Sequence, residues 1–212
     1  MSNLALKSRD RIGWPLWLVL VSSVLIGIAS FRYLAPGAPG GAPPILANSF
    51  TRFGALTFHA AFAATALIIG PFQFIRSLRS AKPKLHRLMG MAYVVCCTVA
   101  GVAGLLLAAG ARTGPVSTAG FGMLAILWIY ATLMALNAAR SRRFVEHERW
   151  MIRSFALTFA AVTLRVYLPF AFMSPWGYDN TYRAISFLCW VPNIVLAEAF
   201  LVRSGAAWAR RA

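Results

Sequence analysis

Acidic residues are scarce in this chain, only 5 of 212, against 21 lysines and arginines. Histidines number three, cysteines three, and charged residues make up 12% of the total. A soluble domain is about a quarter charged. Too little charge is present here to coat a water-facing surface. Cys96, Cys97 and Cys189 all lie within apolar runs, and no Cys-x-x-Cys occurs. They are read as small packing residues, with no disulfide or metal framework. Phosphate-binding Gly-rich loops, His-Glu-x-x-His and paired intramembrane aspartates are also missing. Ser154, a candidate nucleophile, has no visible base and orienter. Glu146, His147 and Glu148 follow one another, so on a helix they point apart and do not make a zinc site. The net charge of +16 is dispersed in short runs between apolar stretches. That placement leaves no nucleic-acid platform and points to an anionic membrane. No soluble segment is large enough for a nucleotide cofactor.

Apolar sequence dominates instead. Hydrophobic residues reach 59% and the mean hydropathy is +0.67. A helix needs about 20 apolar residues to cross a hydrocarbon core about 30 Å thick. Six runs qualify, over about 14–33, 54–75, 88–111, 117–138, 150–172 and 184–202. The expectation is an all-α membrane protein, a six-transmembrane-helix bundle forming a single integral membrane domain. Lys7, Arg9 and Arg11 before the first run resemble a signal-peptide flank, but an uncleaved helix is preferred. A Pro/Gly/Ala-rich stretch at 35–50 reads as an extended outer loop. Pro71 is expected to kink the second span. Ala100, Gly104 and Ala108 repeat every fourth residue in the third, permitting close helix approach. Trp176 to Tyr182 reads as an interfacial aromatic loop.

Orientation follows from the basic residues. One side collects Lys7, Arg9, Arg11, the run Arg76 to Arg87, the run Arg140 to Arg153, Arg203, Arg210 and Arg211. The other holds only Arg32, Arg52, Arg112 and Arg183. Positive charge stays inside, so both termini are expected to be cytoplasmic in a bacterial inner membrane.

Arg165 lies within the fifth run, where a buried charge costs roughly 3 kcal/mol or more at a bilayer centre. At about 1.5 Å per residue it lies roughly 22 Å from the cytoplasmic face, while His59 lies roughly 8 Å from the outer one. The two would share a pocket with Tyr167, suited to a weak acid or anion. The plainer alternative is that Arg165 snorkels outward and His59 bonds a carbonyl. At the inner face, His86 and His147 stand just before the third and fifth runs, among Arg87, Arg149, Arg153, Glu146 and Glu148. Glu198 is the expected ion-pair partner of Arg153. Two imidazoles at one depth on different helices are the minimum constellation for b-type haem, with Arg87, Arg149 and Arg153 as propionate partners. The plainer alternative is a helix-end ion lattice that fixes topology.

These residues carry a resemblance. His59-Ala60 opens a span closing on Gly70-Pro71-Phe72-Gln73-Phe74; Leu85-His86-Arg87-Leu88-Met89-Gly90-Met91-Ala92-Tyr93 follows. His147-Glu148-Arg149-Trp150-Met151-Ile152-Arg153-Ser154 comes next, with Arg165 beyond. From about Phe53 to Leu168 the chain resembles the bacterial membrane proteins grouped as domain-of-unknown-function family 2306. The resemblance implies a polytopic membrane protein and adds little chemistry. A looser, fold-level likeness is to di-haem cytochromes b, six-helix proteins with histidines on four central helices. Here the second, third and fifth spans supply one each and the fourth none, which leaves one pair at most. Three functions therefore stand side by side: haem- or quinone-linked electron transfer with a redox or membrane-protein partner; a small-solute or anion transporter or binder using His59, Arg165 and Tyr167; and a non-catalytic scaffold in the lipid bilayer. No metal is expected beyond haem iron.

Overall fold

The computed structural model describes residues 14–34 and 50–209. The expected basic N-terminus, most of the 35–50 loop, and Arg210 and Arg211 lie outside the described residues. Within them the chain is helical apart from short turns and breaks. The helices are α1 (Trp14–Ser30), α2 (Phe50–Ile69), α3 (Arg76–Ala81), α4 (Pro83–Ala109), α5 (Pro115–Arg140), α6 (Phe144–Thr158), α7 (Ala160–Met173), α8 (Tyr178–Leu188) and α9 (Val191–Ala209). Among the described residues six stretches are long and apolar enough to cross a membrane: Pro15–Leu34, Phe53–Phe74, Pro83–Ala109, Pro115–Arg140, Phe144–Met173 and Tyr178–Ser204.

Apolar surface faces outward, which only lipid tolerates. Leu88 is 69% exposed, Leu196 70% and Phe172 72%. Inside, small residues let helices approach, with Ala100, Ala135, Cys97 and Cys189 fully buried. α4 packs between α2 and α5, and α5 packs on α6.

Several span boundaries differ from the sequence reading. The third, fifth and sixth spans begin at Pro83, Phe144 and Tyr178, earlier than expected. Their polar first turns are helical because a helix can extend into the interfacial region, where charged side chains stay hydrated. Pro83 occupies the first turn of α4, where its missing N–H costs nothing. The aromatic segment Trp176 to Tyr182 is largely the start of α8, entered through Gly177 at φ 80°. Pro71 ends α2 rather than kinking it, and Pro71–Phe74 tightens into a 3-10 turn.

The fifth span breaks at Phe159 and the sixth at Cys189 and Trp190. Asn193 ties the two breaks together. Its Nδ2 lies 2.8 Å from Thr163 Oγ1, 3.1 Å from Cys189 O and 3.3 Å from Ala156 O, and its two protons are shared among these three acceptors. Carbonyls in a bilayer must be satisfied internally, and this amide does so where the helices are interrupted.

Candidate functional site

The basic end of the bundle gathers the first cluster. His86 and His147 both sit on the second turn of their helices, not ahead of them. Tyr93 lies seven residues beyond His86, and Ser154 seven beyond His147. A seven-residue step returns to the same helix face. Tyr93 Oη and Ser154 Oγ meet at 3.0 Å, so those faces oppose each other across α4 and α6. The histidines therefore face the same gap about 10 Å nearer the basic end, at about 1.5 Å per residue. His147 is close enough to act on His86 through its charge.

The two rings are held differently. His147 Nδ1 lies 2.9 Å from Ala135 O on α5. A carbonyl only accepts, so Nδ1 carries a proton, and in the neutral ring it is Nε2 that holds the free lone pair. Metal-binding histidines are oriented in the same way by a carbonyl. His86 has a buried Nδ1 with no partner among the described residues. Gln73, 5% exposed, likewise leaves its Nε2 unpartnered. Gln73 packs beside Gly90, one turn along α4 from His86; a Cβ there would meet Gln73 Oε1 at 3.5 Å. Buried polar atoms without partners are uncommon and call for a ligand or water. In the sequence Gln73 stands only within the motif that closes the second span, with no role assigned to it.

The arginines divide. Arg153 donates to both oxygens of Glu198, at 2.5 and 2.9 Å, and lies 4.7 Å from the Trp150 ring centre. This pair ties α6 to α9 and takes Arg153 away from the histidine gap. Arg87 and Arg149 are exposed, and Arg87 Nε only reaches Pro83 O at 3.4 Å. Glu146 pairs with Arg143 at 2.7 Å.

Two turns deeper lies a buried polar node that the sequence reading missed. Tyr93 Oη touches Ser154 Oγ at 3.0 Å and Thr158 Oγ1 at 2.7 Å. Trp128 Nε1 donates to Thr158 Oγ1 at 2.8 Å, and Thr132 Oγ1 meets Ser154 Oγ at 2.7 Å. Each hydroxyl alone is ordinary in an apolar helix; only the meeting of α4, α5 and α6 reveals the node.

The second cluster is dispersed. His59 Nδ1 lies 2.9 Å from Ala100 O on α4, so its tautomer is fixed as in His147. Gly104 makes room for it, since a Cβ there would sit 3.2 Å from His59 Nδ1. Arg165 acts on His59 through its charge but bonds elsewhere, to Ala161 O and Ser30 Oγ, both at 2.8 Å. Tyr167 is half-buried and makes no side-chain hydrogen bond among the described residues. A cavity of about 550 Å³ opens between α2 and α4, lined by Gly54, Phe58, Thr98 and Leu106 among others. It does not include His59, Arg165 or Tyr167.

Among the described residues no group of three or more His, Cys, Asp or Glu side chains could hold a bare metal ion. Neither curated proteins nor solved structures include a match to this chain. One family model does match, over residues 56–201, from within α2 to α9, which takes in every histidine and the whole polar node. That span is well over half of the sequence, and the chain belongs to the family described as "Predicted membrane protein (DUF2306)".

Proposed function

We propose that this protein sits in the bacterial cytoplasmic membrane with its basic end inside, and carries one b-type haem between α4 and α6. His86 and His147 would hold it, each through an imidazole nitrogen. The observation that carries the reading is their register: the seven-residue steps from His86 to Tyr93 and from His147 to Ser154 put both imidazoles on the helix faces that meet where Tyr93 approaches Ser154 and bonds Thr158. The donor set fits. His147 presents Nε2 with its tautomer fixed by Ala135 O, and His86 has no competing protein partner among the described residues. Arg87 and Arg149 are available for carboxylates at the interface; Arg153 is not, because Glu198 holds it. Bound haem would supply one-electron chemistry, with a membrane partner or quinone as the source or acceptor of the electron. Gln73 Nε2 serves as a hydrogen-bond donor toward the same gap.

The test is an ultraviolet–visible spectrum of detergent-purified protein, expressed with ample haem, oxidised and then reduced with dithionite. A Soret band with sharp reduced α and β bands is expected. His86→Ala and His147→Ala should each abolish it, while His59→Ala, whose ring belongs to another part of the bundle, should not. A featureless wild-type spectrum, or one unchanged in both single variants, discards the proposal.

A further inference from the structure

At the end of the bundle away from the histidine pair, Arg165 is held by neutral partners only. Nη1 donates to Ala161 O on its own helix and Nη2 to Ser30 Oγ on α1. Ser30 is 5% exposed and donates its proton to Ile26 O at 2.6 Å, which turns an oxygen lone pair toward the guanidinium. A guanidinium has five N–H donors, so most remain unused. Among the described residues no carboxylate pairs with Arg165; the ion pairs there join Arg143 to Glu146 and Arg153 to Glu198.

Arg32 makes the charge imbalance larger. It lies two residues beyond Ser30, which bonds Arg165, close enough to act on that guanidinium through its charge, and Tyr33 lies near the same group. Its guanidinium stacks over the Tyr33 ring at 5.3 Å. Tyr33 in turn neighbours Tyr178 and Tyr182, whose rings stack at 5.4 Å. Two like charges are thus gathered at this end of the bundle, Arg165 half-buried and Arg32 exposed. Nothing among the described residues neutralises them. An anion between them would reverse the sign of the interaction. Guanidinium matches the planar pair of oxygens on phosphate or carboxylate, and Tyr33 adds a hydroxyl.

We infer that Ser30, Arg32, Tyr33 and Arg165 form an oxyanion site for a phosphate group. Two sources share that chemistry: the headgroup of an anionic phospholipid and free phosphate. The inference does not depend on haem binding.

The experiment uses the full chain in detergent. Thermal stability is followed on adding phosphatidylglycerol, phosphatidylcholine or inorganic phosphate at matched ionic strength. Wild type, Arg165→Gln, Arg165→Lys, Arg32→Gln and Arg140→Gln are compared, the last being a basic-end control. The expected result is stabilisation by phosphatidylglycerol with apparent affinity reduced at least tenfold in Arg165→Gln and clearly in Arg32→Gln, and kept in Arg140→Gln. Stabilisation by inorganic phosphate with the same dependence on Arg165 and Arg32 identifies free phosphate as the source and also upholds the site. If Arg165→Gln does not fold, Arg165→Lys and Arg32→Gln decide. No stabilisation of wild type, or equal affinity in the Arg165 and Arg32 variants, overturns the inference.

Discussion

The polar node around Tyr93 allows a prediction that depends on counting protons. Five are available: four hydroxyl protons, from Tyr93, Thr132, Ser154 and Thr158, and the Trp128 indole proton. Six contacts compete for them. Two are settled by chemistry, since carbonyls only accept: Thr132 donates to Trp128 O at 2.8 Å and Thr158 to Ser154 O at 2.9 Å. Thr158 then accepts from Trp128 and from Tyr93, and Thr132 accepts from Ser154. All five protons are spent. The Tyr93–Ser154 contact, at 3.0 Å the longest of the six, is left without one. Tyr93→Phe therefore removes a single true hydrogen bond, to Thr158. Interhelical hydrogen bonds in membrane proteins are worth about 0.6 kcal/mol on average and about 1.7 at most. The expected loss of stability is about 1 kcal/mol, and double-mutant cycles should divide it unequally. Coupling of Tyr93→Phe with Thr158→Val should be about 0.6 kcal/mol or more, whereas coupling with Ser154→Ala should be near zero. The assay is reversible unfolding in mixed micelles of rising dodecyl sulfate content, followed by helical circular dichroism. Coupling to Ser154 equal to or larger than that to Thr158 would refute the proton assignment.

Gly104→Ala places a Cβ 3.2 Å from His59 Nδ1, so the ring must give by a few tenths of an ångström, which strains its bond to Ala100 O. The same unfolding assay should show a loss of about 1–2 kcal/mol, shrinking when His59→Ala is already present. Asn193→Leu strips a donor from Thr163 Oγ1 and from two carbonyls at the helix breaks, and should cost about 1–3 kcal/mol, with faster amide exchange around Phe159. Glu198→Gln should cost under about 1 kcal/mol, because the Arg153 and Glu198 side chains are 25% and 45% exposed, and the loss should diminish in high salt.

The six spans are legible because hydropathy reports burial in lipid directly, without knowledge of neighbours. Their ends are less so. The run Lys84, Leu85, His86 and Arg87 reads as a loop by charge, yet Pro83 starts a helix there and the interface hydrates the charges. That shift matters for chemistry, since it moves His86 and His147 from loops onto helix faces with a defined direction. The break at Cys189 and Trp190 is announced by Pro192 in the first turn of α9, but the break at Phe159 carries no glycine or proline, and the Asn193 amide that serves it comes from a different helix. Arg165 is conspicuous in sequence, but its partner Ser30 lies 135 residues away, so the expected grouping with Tyr167 had no means of being replaced.

The node and the histidine pair also constrain each other. α4 and α6 meet through Tyr93 and Ser154, and the same helix faces present His86 and His147 two turns away. Any change that alters the spacing at the node must alter the gap between the imidazoles. Thr158 joins α6 to both Tyr93 and Trp128, so it sets the spacing more firmly than Ser154 does. On the haem site proposed above, Thr158→Val should therefore disturb ligand binding at a distance, by broadening the reduced α band or lowering haem retention. Thr163→Val, on the far side of the Phe159 break, should leave the spectrum unchanged while still losing its bond to Asn193. If both variants changed the spectrum alike, general destabilisation would account for the effect, and the geometric coupling between node and histidines would have to be abandoned.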